Sequence, residues 1–221
     1  MKKVNKRWIA ACVLLLAFVL WTILISLVDV RPIGPEGSSV GFAGWNQLVH
    51  KLTGVHFLLY HITDWLGLVP FGICGIFGVL GLAQWIKRKS ICKVDSSILV
   101  LGGFYVVTIA AYLLFENVVI NYRPVLIEGI LEVSYPSSTT MLTLCVMPTA
   151  ILQCRQRIQN KILRNCLSFV MGIFTAFMVI GRLISGVHWI SDIVGGALLS
   201  AGLVMMYISV ADVCSDGSVI L

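Results

Sequence analysis

Six stretches of this chain, at about 8–28, 66–86, 97–115, 138–154, 167–181 and 190–211, are apolar over the length a helix needs to cross about 30 Å of hydrocarbon. With 58% hydrophobic and only 12% charged residues among 221, the chain has too little polar surface for a soluble globule. The expected fold class is all-α, a polytopic membrane protein with six transmembrane helices. The basic residues orient it. With the N-terminus inside, Lys2, Lys3, Lys6, Arg7, Lys87, Arg88, Lys89, Lys93, Arg155, Arg157, Lys161 and Arg164 are cytoplasmic, 12 of the 16 Lys and Arg. The outer segments hold only Arg31, Lys51, Arg123 and Arg182, but carry Asp29, Glu36, Asp64, Glu116, Glu128, Glu132 and Asp192, seven of the ten acids. The net charge of +6 therefore reports topology and contact with anionic lipid headgroups, and nucleic acid is not an expected partner.

The start, MKKVNKRW, resembles that of a signal peptide, but the apolar segment after it is too long and no small-x-small cleavage site follows. It is read as an uncleaved first span, with both termini cytoplasmic. Seven cysteines lie mostly in spans or on the cytoplasmic side, with no disulfide framework and no metal-ligand spacing, so neither a metal nor a cofactor is expected. Loops are short except for about 36 residues between the first two spans. There Trp45, Leu48, Val49, Leu52, Val55, Leu58 and Leu59 recur at helical spacing, which predicts an interfacial helix between the first and second spans, over Trp45 to Trp65. Nothing divides residues 1–221 into more than one domain.

Ionisable and hydroxyl side chains cluster at the outer ends of the later spans. His188 and Asp192 are four residues apart and share one face of a helix start, where the carboxylate can hold one imidazole nitrogen as N–H and leave the other as a nucleophile or base. The same pair also reads as a helix-start aspartate beside an interfacial histidine. Arg123 and Arg182 offer forked donors suited to phosphate oxygens, or are snorkelling interfacial arginines. The run Ser137, Ser138, Thr139, Thr140 follows Pro136 at a helix start, where free backbone N–H groups and hydroxyls form an anion site. Ordinary N-capping accounts for the serines but not the threonines.

Together, YRP at 122–124, YPSST at 135–139 and Arg182, His188 and Asp192 resemble the three-part signature of the type-2 phosphatidic acid phosphatase superfamily, K-x6-R-P, P-S-G-H and S-R-x5-H-x3-D. The resemblance implies a six-helix membrane bundle that removes phosphate from lipid phosphates or diphosphates without a metal. It implies that His188 forms a phosphohistidine, with Asp192 orienting it. Arg123, Arg182, Ser137 and the backbone N–H of Ser138 would hold the phosphoryl oxygens. The resemblance places the protein in the plasma membrane of a cell envelope, with its site on the extracellular or periplasmic face.

The chain departs from the signature at four places. Gly181 and Ser138 replace a serine and a glycine. Glu116 stands for the lysine, seven residues before Arg123. On a continuous helix the two would share one face two turns apart, so that Glu116 orients Arg123, meets a cationic headgroup or weakens anion binding. Thr139 stands for the general-acid histidine and cannot supply a proton near neutral pH, a contribution of about 10²- to 10⁴-fold. A monoester expels an alkoxide that needs a proton, whereas a lipid diphosphate expels a weakly basic phosphate. The expected substrate is therefore a polyprenyl diphosphate such as undecaprenyl diphosphate. His50, His56 and His61 are candidate substitute acids. The competing reading is a non-catalytic member that binds a phosphorylated lipid headgroup or a partner protein. Transfer of the phosphoryl group to another lipid is not separable from hydrolysis at this level.

Overall fold

The computed structural model describes residues 2–217. Met1, residues 218–221 and the side chains of residues 2–5 and 215–217 lie outside the described set, and with them the C-terminus expected on the cytoplasmic side. Eight α-helices follow in order: α1 (Lys2–Leu27), α2 (Ala43–Thr53), α3 (Phe57–Leu66), α4 (Leu68–Arg88), α5 (Ser96–Asn117), α6 (Ser138–Arg157), α7 (Lys161–Ile184) and α8 (Ile190–Gly217). Among the described residues there is no strand, only isolated bridges such as Tyr122 with Val133 and Ile127 with Ile130 in the loop before α6.

Five helical segments are long and apolar enough to cross a membrane: Lys6–Leu27, Phe57–Arg88, Ser96–Asn117, Lys161–Ile184 and Ile190–Cys214. They expose large apolar side chains such as Leu16, Ile76, Val106 and Phe169, the reverse of a soluble bundle. The stretch expected to span at 138–154 is a helix of a different kind. α6 packs against α4, α5, α7 and α8, and its Thr140, Thr143, Cys145, Val146, Thr149, Ala150 and Gln153 are fully enclosed. A helix surrounded by protein has no need of a lipid-facing surface, so it carries polar residues that bond inside the bundle: Gln153 Nε2 donates to Tyr207 Oη at 2.9 Å, and Thr149 Oγ1 to Cys145 O at 2.8 Å.

The segment 45–65 is not one helix. α2 ends at Gly54, whose φ of +70° suits glycine, and α3 starts afresh at Phe57. The break is pinned by the loop between α7 and α8. His56 N–H donates to Ser185 O at 2.9 Å, and Gly186, at φ +69°, lies so close to the Gly54 carbonyl that any Cβ there would collide with it. Only Gly67 separates α3 from α4, so the second apolar helix begins at Phe57 and not near residue 66.

The core joins Phe18 and Ile25 of α1, Leu101 and Phe104 of α5, Met141, Leu142 and Val146 of α6, and Leu199, Leu203 and Tyr207 of α8, with Tyr135 from the loop before α6. α1 packs along α8, where Gly202 leaves room for Leu15. At the end of the bundle that carries most of the basic residues, Asp95 ties three elements together. It accepts from Gln84 Nε2 at 2.9 Å, Arg88 Nη1 at 2.9 Å and Arg157 Nη1 at 3.0 Å. Hydrogen bonding from Arg157 holds its carboxyl down at about 2. Arg7 and Asp212 form a further ion pair between α1 and α8.

Candidate active site

The opposite end of the bundle gathers the end of α5, the start of α6, the end of α7 and the start of α8. α5 stops at Asn117, and the chain runs extended and looped to Ser137 before α6 starts. Arg123 N–H donates to Glu132 O at 3.0 Å and Ser134 N–H to Asn121 O at 2.9 Å, which folds this loop back on itself. Its far end is fixed by Ser137 N–H, which donates to Asp192 O at 3.1 Å. The loop is thereby laid across the start of α8.

His188 lies just before α8 and is 3% exposed. Arg123 Nη1 stands 3.2 Å from His188 Nε2. A guanidinium can only donate, so Nε2 is the lone-pair nitrogen and Nδ1 carries the proton. That Nδ1 faces Asp192 Oδ2 at 3.7 Å, longer than a hydrogen bond, with the Ser134 backbone also acting on the ring. Burial, then the charges of Arg123 and Arg182, push the imidazole well below its ordinary range. His188 is held neutral, as a nucleophile must be.

Asp192 is fully buried and fills the helix-start role, while its carboxylate lies near the imidazole without bonding it. Its Oδ2 accepts Trp189 N–H at 3.0 Å, closing the first turn of α8, while Oδ1 takes Asn121 Nδ2 at 3.3 Å and Ser191 Oγ at 3.4 Å. Buried Asn46, from α2, accepts Ser191 N–H at 3.1 Å and fixes the same turn. With each carboxylate oxygen occupied, the side chain has little freedom to leave the imidazole.

Arg182, at the end of α7, is 2% exposed. Its Nη2 donates to Thr139 Oγ1 at 2.9 Å and Asp64 Oδ1 at 3.2 Å, and Nη1 to Thr63 Oγ1 at 3.4 Å. Both arginines flank the ring of Tyr60, Arg182 with its Cζ 5.2 Å from the centroid and Arg123 at 6.0 Å. Neither is a snorkelling residue, because both point inward. Ser137 does not cap α6: its Oγ donates to Thr140 Oγ1 at 3.0 Å, and no side chain caps the helix there. The N-terminus of α6, with Ser138 and Thr139 in its first turn, is thus left open beside Arg182.

The structure therefore brings Arg123, Ser137, Thr139, Arg182, His188 and Asp192 together, with Ser138 adjoining them. Glu116 does not join Arg123. α5 ends one residue after Glu116, so no shared helical face exists, and the carboxylate paired with Arg123 Nε is that of Glu132, at 2.9 Å. The three histidines weighed as substitute acids make the following contacts. His50 Nε2 donates to Gly186 O at 3.1 Å, His56 Nε2 to Thr53 O at 2.9 Å, and exposed His61 lies against the ring of Tyr60. Sequence reasoning missed Tyr60, Thr63, Asp64 and Glu132 as site residues. The only signal they left was the excess of acids on the outer face.

A helical membrane bundle that buries a neutral histidine between an arginine and an aspartate, with a second arginine at the open end of its central helix, is a membrane phosphatase fold. Residues 103–214 match the PAP2 superfamily, and the chain belongs to that superfamily. Its fold is similar to the crystal structure of the first transmembrane PAP2 type phosphatidylglycerolphosphate phosphatase from Bacillus subtilis, with a TM-score of 0.55 and 18% identity over 92% of this chain and 96% of that one. No curated protein matches the chain by sequence.

Proposed function

We propose that this protein is an integral membrane lipid phosphatase that acts through a phosphohistidine on His188, without a metal, and favours a lipid diphosphate of the polyprenyl class. The observation that carries the reading is the bond from Arg123 Nη1 to His188 Nε2, at 3.2 Å. It marks Nε2 as the lone-pair nitrogen and sets it against a cation that a phosphoryl oxygen can draw away, while Asp192 lies 3.7 Å from the other nitrogen. A phosphoryl group lying between Arg123 and Arg182, with the open N-terminus of α6 beneath it, is attacked by Nε2. The phosphorus–oxygen bond to the lipid breaks, and water then cleaves the nitrogen–phosphorus bond and releases phosphate. Asp192 stabilises the imidazolium character that develops on Nδ1–H. Thr139 offers no proton, so a leaving phosphate is favoured over a leaving alkoxide.

The charge distribution supports an outward-facing site in a plasma membrane, with cytoplasmic termini. We read α6 as a sixth crossing helix, enclosed by the others, α2 as interfacial, and residues 1–221 as one phosphatase-like domain. A binding role, without turnover, has one observation in its favour: each arginine already carries a carboxylate, Glu132 on Arg123 and Asp64 on Arg182. Phosphate release by the purified protein from undecaprenyl diphosphate, polyprenyl monophosphate and phosphatidate separates the two. Release that His188→Ala abolishes, fastest from the diphosphate, is the expected result. No release above that of the His188→Ala protein makes it a binder.

A further inference from the structure

Thr139 occupies the place of a proton donor, and what surrounds it shows what can take its part. Arg182 Nη2 is shared by two oxygens, Thr139 Oγ1 at 2.9 Å and Asp64 Oδ1 at 3.2 Å. Asp64 reaches this point because α3 ends against the start of α6, where a Cβ on Gly67 would meet the Thr139 methyl at 3.4 Å. Its side chain is 54% exposed while that of Arg182 is 2% exposed, so the carboxyl stands at the mouth of the site, open to proton exchange. The attacking nitrogen lies at Arg123 and the Asp64 carboxyl at Arg182, and the two guanidinium carbons are 6.0 and 5.2 Å from the Tyr60 ring centroid. A phosphoryl group held by both arginines therefore meets His188 at one of them and the Asp64 carboxyl at the other.

We infer that Asp64 is the general acid of this site, replacing the donor that Thr139 lacks. The inference rests on the proposed phosphatase reading. In the unliganded site Asp64 is an ion-pair partner of Arg182. A bound phosphoryl dianion takes over that guanidinium and leaves the carboxyl free to face the leaving oxygen. The other groups that act on Asp64 are Tyr60 on its own helix and Tyr112 of α5, with Glu116 acting on Tyr112 in turn; Arg123 and Arg182 are the opposing cations. Protonated Asp64 gives its hydrogen to the leaving alkoxide oxygen as the phosphorus–oxygen bond breaks. As a carboxylate it then takes a proton from the water that attacks phosphohistidine, so phosphate leaves, His188 regains its lone pair and Asp64 is reprotonated. With this donor a leaving alkoxide is served as well, so the diphosphate preference set by Thr139 alone is relaxed.

The test compares Asp64→Asn with the unchanged full-length protein on dioleoyl phosphatidate, which expels an alkoxide, and on p-nitrophenyl phosphate, which expels a stable phenolate. Thermal unfolding checks that the variant is folded. Asp64→Asn is expected to lower phosphatidate turnover by about 10²- to 10⁴-fold, and at least tenfold more than it lowers p-nitrophenyl phosphate turnover. Asp64→Glu is expected to retain part of the activity. Adding Thr139→His to Asp64→Asn is expected to recover phosphatidate turnover selectively. Equal losses on both esters, or no loss, overturn the acid role and leave the phosphatase reading standing. No His188-dependent release from either ester overturns both.

Discussion

Arg123 and His188 form the contact on which the proposed reaction turns, a guanidinium donor 3.2 Å from the Nε2 lone pair. The same guanidinium pairs with Glu132 through Nε. Arg123→Ala is expected to lower kcat for phosphate release by about 10²- to 10³-fold, the loss typical of removing one preorganised donor to a transition-state oxygen. Arg123→Lys keeps the charge but loses the fork, and should recover only part of it. Steady-state release with matched protein amounts measures both.

Burial and the two arginines hold His188 well below its ordinary value of 6.5. Neutral imidazole therefore persists on acidification, and the acid limb of kcat/KM is expected below pH 6.5. The stability effect has the opposite sense. Below pH 6.5 the unfolded chain takes up a proton that folded His188 refuses, so folding weakens as pH falls, by at most about 1.4 kcal/mol per pH unit. His188→Gln should flatten this dependence, read as the difference in thermal midpoint between pH 7 and pH 5.

Asp95, at the other end of the bundle, has its carboxyl held at about 2, first by Arg157. A depressed carboxyl stabilises the fold above its ordinary value of 3.8 and loses that contribution as pH falls through about 2. Its side chain is 34% exposed, so screening limits the contribution to about 1 kcal/mol or less. Asp95→Asn should lower the thermal midpoint modestly and leave KM unchanged. A changed KM would mean that the two ends of the bundle are coupled.

Gly186 lies at φ +69° against the Gly54 carbonyl. Gly186→Ala adds both an unfavourable backbone conformation and a collision, an expected loss of about 1–3 kcal/mol. The loop that moves is the one that carries His188, so activity should fall more than stability. Thermal unfolding and turnover on one preparation compare them.

The chain order of apolar stretches and the placing of His188 and Asp192 on one face of a helix start were legible in the sequence, because each follows from local spacing, whereas Arg182 was joined to the Ser137–Thr140 run only through the family resemblance. Asp64 was not, since 118 residues separate it from Arg182 and no periodicity relates them. Glu132 hid for the opposite reason. It is near Arg123 in sequence, but only the folding back of the loop between α5 and α6 aims it there, while helical spacing pointed to Glu116. α6 was legible as a helix and illegible as the enclosed one. Apolar content reports what faces lipid, and the four helices around α6 relieve it of that duty.

The packing of α1 along α8 sets an order of assembly. Helix α1 has its main partner in α8, and waits in the bilayer while the six helices between them are made. His188 and Asp192 stand at the start of that last helix. A truncated or stalled chain therefore presents arginines and an open helix end without a nucleophile, and the site becomes competent only when the bundle closes on itself.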